Sequence, residues 1–243
     1  MININSKTVI KKYKNTLIIY FSITVIIITV MILVFLYVPN DNLVNAINIL
    51  LLVSLIIFSL LYRNVILGFK NMSQVARVVL KQGEPIKYNS DIFLKKDYME
   101  NNQYEIFKST SAYDIYYKYV SLKTYKFFKV KKLKTIVLIK ENKLDYYDER
   151  LHEDINLLEE NVAEKQRFYK HHMIFIKKFE KITKNDLKSI GEVVLYNVGR
   201  QSFIQINVGL NTEDKKAYFL YSDVYFPTMD FKDTTNEIKN IIG

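Results

Sequence analysis

Hydrophobic positions fall along this chain in three successive patterns. Thr16–Val38 and Leu43–Tyr62 are apolar runs of 23 and 20 residues with no Asp, Glu, Lys, Arg or Pro. At 1.5 Å of rise per residue, each run as a helix spans a hydrocarbon core of about 30 Å. Only Pro39-Asn40-Asp41-Asn42 separates them, a polar tetrapeptide with turn chemistry. The pattern predicts a transmembrane hairpin over 16–62, preceded by a basic segment, 1–15. Residues 63–83 then place Val65, Ile66, Phe69, Met72, Val75 and Val79 at helical spacing among basic residues. This predicts a juxtamembrane helix that continues the second span to Gly83-Glu84-Pro85. The connector to residue 112 is polar and Asn-rich, with one or two short elements expected.

From residue 113 the apolar spacing shortens. Tyr113–Val130 is aromatic and basic and predicts strand, with helix as the alternative. Thr135–Lys140 reads as a buried strand. A turn at Glu141-Asn142-Lys143 leads into Leu144–Asp148, which predicts a hairpin. A helix is expected over 150–170, with Leu151, Ile155, Leu158, Val162 and Tyr169 near one face. Acidic residues crowd its start and Lys165, Arg167 and Lys170 its end, which complements the helix dipole. Met173–Phe179 is the next strand. Thr183 with Asp186 predicts a capping box and Gly191 a stop, framing a short helix at 184–190. Strands are expected at Glu192–Val198, Ser202–Leu210 and Ala217–Phe226. In the middle one Ile204, Ile206, Val208 and Leu210 alternate with Phe203, Gln205 and Asn207, which predicts an antiparallel strand with one covered face. Asp230 is the expected cap of a final amphipathic helix carrying Phe231, Thr234, Ile238, Ile241 and Ile242.

Charge adds orientation. Lys7, Lys11, Lys12 and Lys14 precede the first span, Arg63, Lys70, Arg77 and Lys81 follow the second, and the turn carries only Asp41. Lys and Arg stay on the cytoplasmic side, so both termini are expected in the cytoplasm of a two-span inner-membrane protein. A secretory signal peptide fits poorly, because the first run is too long and no small-residue cleavage site follows. With no cysteine there is no disulfide framework, thiol nucleophile or thiolate metal site. The net charge of +10 favours an acidic partner, whether anionic lipid, nucleic acid or protein. Lys outnumbers Arg 30 to 5, however, and phosphate readers tend to use the guanidinium fork.

The order of elements over 133–243 resembles the bacterial pleckstrin-homology-like domains, some of which sit beside paired transmembrane helices. The resemblance rests on Leu138–Tyr147 as an opening hairpin, Ile182–Ile190 ahead of a three-strand meander, and the closing helix at 231–242. It implies an α+β fold, an antiparallel β-barrel or sandwich-like domain with a C-terminal helix, over domain 113–243. It brings no functional residues with it. The helix at 150–170 and the aromatic-basic segment before 133 depart from the pattern.

Candidate chemistry is sparse. There is no glycine-rich phosphate loop, nucleophile elbow or calcium loop. His171 and His172 are adjacent on one strand and point to opposite faces, and His152 is a helix away, so structural histidines at a polar boundary are expected rather than a metal site. The carboxylates Asp145, Asp148, Glu149, Glu153 and Asp154 read as a stabilised helix N-terminus rather than a catalytic pair. One cluster carries a binding reading: Lys118, Lys123, Lys126, Lys129, Lys131, Lys132 and Lys134, with Lys140, interleaved with Tyr116, Tyr117, Tyr119, Tyr125, Phe127 and Phe128 and no acidic residue. Anionic lipid headgroups suit it, since the domain is tethered to a bilayer. A nucleotide or single-strand platform is the alternative, and the bland reading is a strand with core aromatics and solvated lysines. In the hairpin, Asn45 and Asn48 share a helical face and suit helix packing or homo-oligomerisation. The absence of charge within the spans argues against an ion pathway. No catalysis and no cofactor are expected. The chain reads as a membrane-anchored, non-catalytic binding domain for a protein partner or lipid surface, with nucleic acid disfavoured. The alternative is a two-helix membrane-disrupting effector gated by a ligand-sensing domain, the layout of some antiphage signalling effectors.

Overall fold

The structure is a computed structural model that describes residues 6–89, 92–94, 96–124, 128–199 and 201–243. It divides into two compact units, one ending at Arg77 and one comprising Val78–Gly243.

The first unit is a helical pair, α1 (Ser6–Tyr37) and α2 (Asp41–Leu80). Both helices are long and apolar enough to cross a membrane. Their apolar side chains face outward: Phe35, Leu50 and Leu61 are 71%, 67% and 69% exposed, a surface suited to lipid and costly in water. The hydroxyls of Thr16, Thr24 and Thr29 each donate to the carbonyl four residues back, so these polar atoms need no outside partner. Between the helices Tyr20 stacks on Phe58 and Tyr62, and its hydroxyl meets Ser59 Oγ at 3.2 Å. Asn40 caps α2, its side-chain oxygen accepting from the Leu43 amide. As expected, α2 does not stop at Tyr62 but runs on through the basic segment to Leu80.

The second unit is built on one open, mixed sheet. Its strands are β1 (Ile86–Lys87), β2 (Glu105–Ser109), β3 (Tyr113–Thr124), β4 (Phe128–Ile139), β5 (Lys170–Phe179), β6 (Val193–Val198), β7 (Gln201–Asn211) and β8 (Lys216–Phe219). They lie in the order β1-β8-β7-β5-β4-β3-β2, with β6 beside the first half of β7 on the β8 side. The helices are α3 (Lys96–Asn101), α4 (Glu149–Lys165), α5 (Lys184–Ile190) and α6 (Met229–Ile242). The fold is α+β, but no barrel closes.

The reason is α4. Expected as a departure from the resembled pattern, this 17-residue helix is a crossover that returns the chain parallel to β4 in β5, and β5 is again parallel to β7. Leu144–Asp148 therefore forms no strand. It is a loop that lays Leu144 and Tyr146 into the core, with the Tyr146 hydroxyl donating to Val208 O at 3.0 Å. β7 is covered on both faces rather than one: Gln205 and Asn207, expected outside, are 1% and 0% exposed. Strand β8 stops at Phe219 instead of Phe226. The cap of α6 is Thr228, whose Oγ1 accepts from the Phe231 amide, and Asp230 is freed for another task. The capping box at Thr183 and Asp186, and the stop at Gly191, stand as expected. So does Asp148 at the start of α4.

One face of the sheet packs Ile115, Leu133, Val137, Met173 and Phe175 against Leu151, Ile155 and Leu158 of α4 and Ile190 at the end of α5. Gly209 lets α5 approach: a Cβ there would lie 2.3 Å from Ile190 Cδ1. The other face carries α6, whose Phe231, Thr234, Ile238, Ile241 and Ile242 are all buried.

Candidate functional site

Strand parity divides the lysine cluster. Lys118 and Lys134 are register partners on β3 and β4, and with Lys132 they face α6. Lys134 Nζ pairs with Glu237 at 2.6 Å. Lys118 Nζ donates to Asn102 O at 2.9 Å and lies over the Tyr104 ring, whose hydroxyl bonds Glu237. Burial, the dominant influence, lowers the Lys118 pKa. Lys131, half-exposed, points to the α4 face. Lys123 and Lys129 oppose one another near the β3–β4 tip, but their side chains, and all of Lys126, lie outside the described residues. Lys140 pairs with Asp114 at 2.7 Å. Lys118, Lys132, Lys134 and Lys140 are thus engaged within the domain, and the first three do not share a face with Lys131.

Lys132 is the most deeply engaged. It is 6% exposed, with Nζ 2.8 Å from Asp230 and 3.2 Å from Asp233. Burial pushes its ammonium down, but the bonds to Asp230 and Asp233 outweigh this and hold its pKa above the ordinary value. Lys170 reaches the other oxygen of Asp230 at 2.5 Å. The carboxyl of Asp230, raised by burial, is lowered on balance by these two lysines. His172 completes the group, with Nε2 3.6 Å from Asp230 and Nδ1 3.2 Å from Thr234 Oγ1. Burial drives the imidazole down to about 3, so it is neutral at physiological pH. This network ties α6 to β4 and β5.

His171, on the opposite face as expected, is not at a polar boundary. It is 3% exposed, as deep as the core. Its Nδ1 lies 2.5 Å from a Glu159 carboxylate oxygen on α4 and its Nε2 2.8 Å from Thr135 Oγ1 on β4. The tautomer that serves both contacts donates from Nδ1 to Glu159 and accepts from the Thr135 hydroxyl. Cross-strand register sets Leu133, His171, Phe203 and Tyr196 in one row across β4, β5, β7 and β6. Phe168 and Phe203 meet the His171 ring edge-on, at 6.0 and 5.9 Å between centroids. Together with Glu159, Tyr169 and Gln201, the residues His171, Phe168, Phe203 and Tyr196 line a cleft of about 440 Å³. The sequence reading missed it, because its aromatics come from the loop before β5 and from the β6–β7 hairpin, far apart in sequence.

A second cleft, of about 710 Å³, runs between α4 and the sheet edge, with Phe107, Tyr117 and Tyr119 below and Asn161, Lys165 and Gln166 above. It gathers two tyrosines of the predicted cluster, but Lys118 directs its ammonium to the other face. A third, of about 340 Å³, is walled by Val79, Pro85, Leu187, Ile190 and Phe219 beside the connector. Among the described residues no group of three or more His, Asp or Glu side chains could hold a metal. In α2, Asn45 is exposed while Asn48 keeps a buried side-chain oxygen without a hydrogen-bond partner.

The connector is stitched to the sheet. Gly83 donates its amide to Tyr221 O at 2.9 Å, the Tyr221 hydroxyl donates to Glu84 O at 2.6 Å, and β1 pairs with β8. A Cβ on Gly83 would lie 2.4 Å from the buried Tyr221 ring. Gly83→Val is therefore expected to displace the ring and cost about 1–3 kcal/mol. Limited proteolysis checks it: cleavage between Leu80 and Tyr88 should become faster. No family model, curated protein or solved structure matches this chain.

Proposed function

We propose that this chain is an integral membrane protein of two spans, with both termini in the cytoplasm, whose soluble domain is a non-catalytic binding module. The observation that carries this reading is the continuity from apolar hairpin to domain. α2 extends 18 residues beyond Tyr62, about 27 Å at helical rise, and its exit is hydrogen-bonded into the domain's own sheet. Basic residues flank both cytoplasmic helix ends and none lies in the turn, which supports the orientation. Alkaline phosphatase fused after Asn42 should be active, and a fluorescent protein fused after Gly243 should be bright. The reverse result rejects the topology.

The engagement of Lys118, Lys132 and Lys134 within the domain weighs against a broad lipid-binding face built on the whole lysine cluster, and moves attention to the clefts. Asn48 favours a second reading, in which the hairpins assemble and breach the bilayer when the domain binds its signal. A buried amide oxygen without a partner marks a hairpin whose packing a change of partner would improve, and the exposed Asn45 one turn away offers a neighbouring copy an interhelical hydrogen bond. Depolarisation of bacteria expressing residues 1–83, abolished by Asn48→Leu, supports that reading. Unchanged potential with both the fragment and the full chain rejects a constitutively active hairpin.

A further inference from the structure

The geometry points to the cleft between α4 and the β5–β7–β6 sheet as a site for a small organic ammonium ion, of the kind carried by choline or ethanolamine. This rests on the reading of the domain as a binding module and supplies the ligand's chemistry.

Four aromatic rings meet there from three segments: Phe168 and Tyr169 from the loop before β5, Phe203 from β7 and Tyr196 from β6. The cross-strand pairing of Tyr196 with Phe203, and of Phe203 with His171, fixes three of these positions on a rigid floor. Tyr169 and Tyr196 remain 44% and 47% exposed at the mouth, where their rings are open to a guest.

The decisive group is Glu159. Its carboxylate is 35% exposed and hydrogen-bonded to His171, and among the described residues no lysine or arginine lies within ion-pair reach. The well-buried carboxylates of Asp114, Asp154, Asp230 and Glu237 are each matched by a lysine within the fold, whereas Glu159 meets a histidine and opens on a cleft. His171 donates from Nδ1 to Glu159 while its Nε2 accepts a hydrogen bond from the Thr135 hydroxyl. It holds the carboxylate in place at the cleft wall. Ring faces attract cations, and a carboxylate beside them adds the counter-charge. The other guest classes fare worse. An anion meets Glu159, a neutral apolar guest would strip water from an unpaired carboxylate, and a metal would find a single acidic ligand.

The ammonium could belong to a free metabolite or to a lipid headgroup, and one titration separates the two. The full chain in a nonionic maltoside detergent is titrated by calorimetry with choline chloride, at constant ionic strength, and with its neutral carbon isostere 3,3-dimethylbutan-1-ol. Choline should bind saturably, and the isostere about tenfold more weakly or less. Glu159→Gln keeps an oxygen for His171 and should weaken choline about tenfold; Tyr196→Leu, at an exposed position, should weaken it several-fold without loss of folding. In bilayer discs of phosphatidylcholine, headgroup occupancy would raise the apparent choline Kd above that in phosphatidylglycerol discs; an unchanged Kd assigns the site to a free cation. No saturable heat, equal binding of the isostere, or a Glu159→Gln chain that binds choline normally overturns the site. Such a null result leaves the membrane topology standing, and a failed topology leaves the titration standing.

Discussion

Asp230→Ala should lower the stability of the sheet domain by about 3–5 kcal/mol, the cost of stranding buried charges. Asp230 is 7% exposed and Lys132 6%, and the carboxylate divides its two oxygens between Lys132 and Lys170. Without it Lys132 keeps only Asp233, at 3.2 Å and half-exposed, and Lys170 has no other ion-pair partner among the described residues. The ammonium groups must then pull toward water, and α6 is the element in their way. Lost charge and lost packing separate in a second chain. Replacing the triad together, Lys132→Met, Asp230→Leu and Lys170→Met, removes all three charges at similar volume and should cost far less than Asp230→Ala alone. Urea unfolding followed by the tyrosine near-UV signal measures both. If the triple replacement is as damaging as the single one, the network matters through shape and not charge.

The same network shows how far the sequence could be read. The hairpin was legible because two uncharged runs of spanning length admit few other structures. The α5 caps and the apolar stripe of α6 were legible because capping and helical periodicity are local. Sheet topology was not, although its signal lay in the chain. Thr135–Ile139 and Met173–Ile176 are continuous apolar runs, the mark of strands buried on both faces, and the amphipathic α4 between them is a crossover. Reading Leu144–Asp148 as a returning strand obscured this. Once β4 and β5 are parallel neighbours, Lys132 and Lys170 become register partners, and both must find an anion on whatever covers that face. Asp230 is that anion, which explains why the cap falls to Thr228. Lys132 and Lys134 looked free of acidic partners because those partners lie about 100 residues away on α6. Glu159 and His171, 12 residues apart, meet for the same topological reason, as the crossover folds α4 back over β5.

Acid should destabilise the domain well above the carboxylate range, and His172 is the reason. Its imidazole is buried at 1% exposure among Lys132, Lys134, Lys170, Asp230 and His171. Desolvation first, and then the neighbouring positive charges, hold the folded-state pKa near 3, against a reference value of about 6.5 for the unfolded chain. Between these limits the unfolded state binds a proton that the native state refuses, so stability rises with pH and is lost as pH falls. The contribution is complete above about pH 7 and declines by about 1.4 kcal/mol per pH unit below 6.5, which makes about 2 kcal/mol between pH 7.5 and 5. Asp230, lowered in the folded state, adds a loss in the same direction, but only below about pH 4, where an unfolded aspartate takes up its proton. The two are separable by pH window and by substitution. His172→Gln removes the titrating group and should flatten the unfolding midpoint between pH 7.5 and 5, while the steeper fall below pH 4 persists. If the flattening fails to appear, the acid sensitivity in that window belongs to another group, and the polar cluster beneath α6 must be open enough for His172 to take up its proton in the folded state.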